Sequence, residues 1–299
     1  MTNQIKRELL VFCSCIVPAF CLCYCCTHKS PQKSAARDST ALPYDLQNPS
    51  RTIKLASEEL KEISGFGATD TPGVFLAIAD ERGEVFFVDG INDGAIRSRF
   101  LFRDKGDFEG VEMVGNTIWT VKSDGKLFEI ANWNSPNPTV TEHNNPLKKS
   151  DDIEGLAYDA EKNVLLLASK GDPDSSYARK VYAFDPINHT LNITPVFSVD
   201  PKEVNTLVEY GDSEKHDYFS PSGIAVHPKT GDVYLISTAL KRLVVLDKKS
   251  GKITDAVGLD KKIMPQPEGI SFDKEGNLYL TSEGKGDAGL ILKFDLQKK

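Results

Sequence analysis

The stretch Ser150–Asp159, SDDIEGLAYD, decides the fold because its centre recurs along the chain. A polar residue, a glycine and an apolar residue open each copy. The copies are Ser64-Gly65-Phe66, Glu109-Gly110-Val111, Glu154-Gly155-Leu156, Ser222-Gly223-Ile224 and Glu268-Gly269-Ile270. Steps between the glycines are 45, 45, 68 and 46 residues. A period near 45 residues is that of a four-stranded propeller blade. Short β-branched and aromatic runs follow the openings, as in LAYD, VLLLAS, then IAVH, VYLIS, RLVVLD, then ISFD, LYLTS, LILKFD. Turn residues punctuate them, and a helical stripe is absent. The reading is an all-β, five-bladed propeller.

Five openings, with no room for a sixth, favour five blades over six. The last blade, from Glu268, has space for three strands before Lys299. The alternating segment Thr52–Ala56 is then the spare strand, expected to close the ring without leaving an unpaired edge. The step of 68 exceeds the period by 23 residues, mostly through Pro201–Phe219. This insertion is expected on one face of the ring, with a short helix. Loops of such length in compact domains are disproportionately functional.

Composition narrows the function classes. With 299 residues and a net charge of −7, the chain fits one large all-β domain and lacks the clustered Lys and Arg of a nucleic-acid surface. All six cysteines fall within the first 26 residues, at Cys13, Cys15, Cys21, Cys23, Cys25 and Cys26, so the body holds neither disulfides nor a Cys-based zinc site.

Residues 1–26 read as an export signal, with Lys6 and Arg7 before an apolar run from Leu9 to Cys26. Three outcomes stay open: a lipid-modified cysteine, an uncleaved anchor of about 18 residues, or plain secretion. Cys26, or alternatively Cys15 after Ser14, is the candidate for lipidation. Each outcome places the body outside the cytoplasm, and the expectation is a membrane-anchored propeller in the cell envelope. Residues 27–50, rich in Ser, Pro, Gln and Lys, read as a flexible tether, with folded structure from Arg51 to the end. A monomer is expected.

Several strings taken together carry a resemblance: ISGFGA…LAIADERGEVFFVD, GDFEGVEMVG, DDIEGLAYD, FSPSGIAVHPKTGDVYLIS and MPQPEGISFDKEGNLYLTSE. Over about Arg51–Leu296 the chain resembles the SdiA-regulated family of bacterial envelope β-propellers. The resemblance implies an extracytoplasmic propeller whose second strands often end in an Asp-Glu pair. Here that pair is whole only at Asp80-Glu81. The matching positions read Lys122-Ser123, Ser169-Lys170, Ser237-Thr238 and Ser282-Glu283.

First strands line a propeller's channel, so the openings place Ser64, Glu109, Glu154, Ser222 and Glu268 around one mouth. Carboxylates about 7 Å apart at an effective dielectric near 20 repel by roughly 2 kcal/mol per pair. Raised carboxyl pKa values, Lys122 and Lys170, or a calcium ion on Glu109, Glu154 and Glu268 could each offset this. Equally, Glu-Gly is turn chemistry with the acid in water. Ser64, Asp80, Glu81, Lys122, Lys170, Ser222 and Glu283 complete the candidate ligand-binding set.

The segments from Asp159 and Asp273 read as hairpin turns rather than calcium loops, lacking the distant Glu. The histidines at 28, 143, 189, 216 and 227 show no metal-ligand spacing, and Trp119 and Trp133 are expected to pack between blades. Two functions remain open. One is a tethered binding or scaffold propeller for a small ligand or an envelope protein. The other is a cation-dependent hydrolase of lactones or phosphoesters.

Overall fold

The computed structural model describes residues 42–171, 177–208 and 218–297. The export signal with Cys15 and Cys26, and the tether as far as residue 41, lie outside the described residues. No helix among the described residues is long and apolar enough to cross a membrane.

Strand β1 (Arg51–Lys54) precedes blade 1, which is β2 (Ile63–Ala68), β3 (Val74–Ala79), β4 (Gly83–Asp89) and β5 (Ile96–Arg103). Blade 2 is β6 (Phe108–Val114), β7 (Thr117–Lys122), β8 (Leu127–Ala131) and β9 (Thr139–His143). Blade 3 is β10 (Ile153–Asp159), β11 (Val164–Ser169), β12 (Arg179–Asp185) and β13 (Thr190–Val199). Blade 4 is β14 (Gly223–Val226), β15 (Val233–Ser237), β16 (Arg242–Leu246) and β17 (Ile253–Gly258). Strands β18 (Gln266–Phe272), β19 (Leu278–Glu283) and β20 (Leu290–Phe294) complete the set. They form five antiparallel four-stranded sheets, the last in the order β1-β20-β19-β18. The strand that precedes blade 1 therefore seals the last sheet.

The ring has no single central core. Five apolar clusters form instead, one between each pair of neighbouring blades. Strand alternation explains this. In β11, Leu166 and Ala168 face blade 4, while Leu165 and Leu167 face blade 2. Both faces of a blade's inner strands are covered, so VLLLA reads as a continuous apolar run. Trp119 is buried between blades 2 and 3, and Trp133 packs on the ring of Phe87 at 4.6 Å between blades 1 and 2.

The seam is held by paired backbone from Arg51↔Lys293 to Lys54↔Leu290. Folded packing, however, begins at Leu42 rather than at Arg51. Tyr44 and Leu46 are buried in the cluster between blades 4 and 5. The Tyr44 hydroxyl donates to the Gly276 carbonyl at 2.7 Å, and Gln297 N donates to Pro43 O at 2.9 Å. Residues 42–50 therefore belong to the body rather than to a tether. An irregular segment with no strand period has still buried two large side chains.

The insertion carries the short helix α1 (Pro201–Leu207), whose N-cap Asp200 accepts from Lys202 N at 2.8 Å. Val204 of this helix and Phe219 beyond it are buried in the cluster between blades 3 and 4. The end of β13, helix α1 and the start of β14 lie at the end of the ring where first strands begin, and so on the face of the repeated openings.

Candidate functional site

The repeated glycine is explained by contact between blades. A Cβ on Gly65 would lie 2.9 Å from Gly110 Cα, and one on Gly110 would lie 2.6 Å from Leu156 Cβ. The pattern continues from Gly155 to Ile224 N at 3.0 Å, from Gly223 to Glu268 O at 2.4 Å, and from Gly269 to Phe66 Cβ at 2.6 Å. Each first strand thus presses on the next until the circle returns to blade 1. Only a residue without a side chain fits there.

The preceding position has the opposite character. Pairing of first and second strands slips between Ile63 and Gly65, Phe108 and Gly110, Ile153 and Gly155, and Pro267 and Ile270. Such bulges leave a residue outside the ladder and re-aim its side chain. Here the re-aimed residues are Ser64, Glu109, Glu154 and Glu268. With Ser222 they line a throat of about 10 Å³ that is bounded by all five openings. That is the scale of one water molecule.

Burial dominates the electrostatics of this mouth. It pushes the Glu109 carboxyl far above its ordinary value, helped by the charge of Glu154. Glu154 is raised too, again by burial, although Lys170 Nζ lies 3.1 Å from its Oε1 and favours the ionised form. Of this pair, Glu109 keeps the proton. Burial lifts Glu268 to about 8, against a hydrogen bond at 2.8 Å from the Thr238 hydroxyl. Burial depresses Lys170, but Glu154 overrides it and the ammonium stays charged.

A second tier of acids surrounds the first. Burial and Glu62 raise both Asp80 and Glu283. One buried carboxylate oxygen of Asp80 has no hydrogen-bond partner. Beside this tier, a cavity of about 400 Å³ is lined by Glu58, Glu59, Glu62, Asp80, Glu81 and Glu84, together with Lys61 and Arg82.

The register moves Asp80 by one place against all four of the matching pairs. Gly65↔Ile78, Gly110↔Val121, Gly155↔Ala168 and Gly223↔Ile236 make Asp80 the counterpart of Ser123, Lys170, Thr238 and Glu283. Glu81 and Lys122 each stand one place away. Lys122 pairs with Asp124 at 3.7 Å, and Glu81 lines the neighbouring cavity. Ser222 borders the throat, but its hydroxyl donates to the Pro267 carbonyl at 2.7 Å. The Asp159 and Asp273 segments are turns, in which Asp159 Oδ1 accepts from Glu161 N and Asp273 Oδ1 from Asn277 N.

Sequence reading missed Glu62 and Asp107, which act on the mouth carboxyls. A signal was present. Two places before each opening residue stand Glu62, Asp107, Asp152, Ser220 and Gln266, so three copies carry a further acid. It also missed two histidines that meet on the outer wall, where His143 and His189 share Glu129.

A family model described as SdiA-regulated matches residues 44–285. The chain belongs to the SdiA-regulated family. The match begins at Tyr44, whose side chain is buried between blades 4 and 5 of this SdiA-regulated propeller. Among solved structures, a glutaminyl cyclase from Myxococcus xanthus superposes with a TM-score of 0.57 at 13% identity, covering 84% of this chain and 97% of that one. A luciferin-regenerating enzyme gives 0.49 at 15% identity, covering 78% and 77%. The WD40 β-propeller domain of Doa1 gives 0.44 at 9% identity, covering 79% of each chain. At such identities the likeness is one of fold.

Proposed function

We propose that this SdiA-regulated chain is an envelope-tethered binding propeller whose acidic channel mouth takes a cationic ligand. The observation that supports it most is the convergence of Glu109, Glu154 and Glu268 on one narrow throat, with Lys170 as the ion-pair partner of Glu154. Carboxyls held protonated by burial exchange their protons for a bound cation, as hard oxygen ligands do for calcium. The orphaned oxygen of Asp80 and the acidic cavity beside it extend the same preference to a ligand carrying an ammonium group. The Cys-rich apolar leader supports the envelope setting.

Calcium is the simplest probe. Calorimetric titration should find saturable binding that strengthens as pH rises through about 8, the value to which Glu268 is lifted. Glu154→Gln should weaken it. Binding that ignores both pH and this substitution would remove the reading.

A second reading is a cation-dependent hydrolase. It is favoured by the split between a protonated Glu109 and a Glu154 held towards ionisation by Lys170, since divergent environments assign an acid and a base. Turnover of lactones or phosphoesters that needs added cation and is lost in Glu109→Gln would select it over binding alone.

A further inference from the structure

We propose that Glu129, His143 and His189 form a binding site for a zinc-class divalent ion between blades 2 and 3. Their ligand atoms all lie within 4.8 Å of one another. His143 Nε2 is 2.9 Å from Glu129 Oε2, and His189 Nε2 is 3.5 Å from the same oxygen. Donors held tetrahedrally at zinc distances sit about 3.3 Å apart. The observed spacings therefore bracket what an ion would require, and side-chain rotation alone could close the set.

The fold explains how residues so far apart in sequence meet. Glu129 on β8 pairs with Thr141 on β9, and Leu127 pairs with His143. Glu129 and His143 are thus diagonal neighbours on one face of blade 2, within side-chain reach. Trp119 is the β7 partner of Glu129 and shares that face, its ring stacked on His143 at 5.3 Å. Blade 3 supplies His189 from the turn between β12 and β13, with its backbone in the left-handed region at φ 54°. The two imidazole rings come within 4.2 Å of each other.

The donor set identifies the ion. Two imidazoles with one carboxylate suit zinc and its neighbours, whereas calcium takes oxygen alone. Trp119 and Phe184 wall the buried side. His189 is 44% exposed, which leaves the fourth position facing solvent. Three protein ligands with one open position is the arrangement that accepts an exogenous ligand. An ion here also clips strands β8 and β9 of blade 2 to the β12–β13 turn of blade 3.

The test uses the full chain with its six cysteines alkylated, because thiols would otherwise compete for zinc. Zinc competition against a chromophoric chelator should reveal a tight site, and zinc should raise the thermal midpoint. Copper(II) should quench the fluorescence of Trp119. His189→Asn keeps a residue that tolerates the left-handed turn, so the variant should fold. It should weaken zinc about a hundredfold, since even groups that merely orient a ligand are worth about 10–100-fold. His143→Phe, which preserves the stacking, should do the same. Equal zinc affinity in wild type and both variants, or no zinc-dependent midpoint shift, would overturn the proposal.

Discussion

The two ends of the central channel both present buried carboxyls, but they arrive there differently. At the mouth, Glu109, Glu154 and Glu268 come from one repeated position, each thrown out of its ladder by a bulge. The far end borders a cavity of about 560 Å³ lined by Met113, Tyr158, Tyr279 and Lys274, among others. Asp70, Asp273 and Glu275 also line it, but Glu112 is the acid that stands on a first strand there. The same position in the other blades holds Gly67, Ala157, Ala225 and Ser271. Glu112 Oε1 accepts from Met113 N at 2.9 Å and Oε2 from Tyr158 N at 3.3 Å. Repetition around a ring multiplies like charges and leaves them in mutual conflict. A single acid can instead be fitted to backbone donors and become part of the frame.

The largest contrast should come from the glycines at the two ends. Gly155→Ala sets a Cβ against Ile224 N at 3.0 Å, where two blades touch and neither backbone can retreat. Overpacking of this kind should cost about 3 kcal/mol. Gly115, on the far-end hairpin, has φ +57° and nothing within 4 Å of a built Cβ. Gly115→Ala should cost only about 1 kcal/mol, from backbone strain alone. Urea midpoints at constant m-value check both figures. Equal losses would show that the ring of contacts between blades is not tight.

The next effect is electrostatic and belongs to the mouth. Glu268 is raised to about 8 by burial, so the folded protein holds a proton that the unfolded chain releases near 4.5. The folded state then binds more protons across that interval, and stability falls as pH rises from about 4.5 through 8. Glu268→Gln should flatten this slope and stabilise the protein at pH 9 by about 1–2 kcal/mol, allowing for partial solvation. Saturating calcium should reverse the sign of the substitution, because the carboxylate then serves the ion. Thermal melts from pH 4 to 9, with calcium and with chelator, separate these outcomes.

How much of this was legible in the sequence follows from the same contrast. The ring and its five blades were readable because Gly65, Gly110, Gly155, Gly223 and Gly269 answer one steric demand at one period. The closing strand was readable from a deficit of one strand in the last blade. Tyr44 and Leu46 were not, because LPYDLQNP has no period and their burial depends on a surface made by blades 4 and 5. Pairing registers were misaligned by one at Asp80, since bulges shift the count without leaving a mark in residue type. His143 stands on an outer strand and His189 in the turn before another, where the blades repeat weakly, so no spacing announced that they meet. Glu112 looked like an ordinary polar residue in VEMV, and only the fold shows two backbone donors aimed at it.

The smallest effect gives the cleanest separation, because one substitution should act with unequal strength at the two ends. Burial raises Glu112 to about 7, against the pull of its two backbone hydrogen bonds. At pH 8 it is therefore ionised, and both oxygens accept. Glu112→Gln keeps one acceptor and turns an amino group towards the other N–H, so one buried donor loses its partner. That lost bond costs about 1 kcal/mol and offsets part of the gain from removing a carboxyl that burial holds above its unfolded value. At the mouth, the Thr238 hydroxyl donates to one oxygen of Glu268, and a Gln oxygen can still accept it. Glu268→Gln should thus stabilise more than Glu112→Gln does at pH 8. Below pH 4 both carboxyls are neutral, and the two effects should shrink together. Equal stabilisation by both substitutions at pH 8 would mean that Glu112 is no better accommodated than the ring, and that the two ends differ only in number.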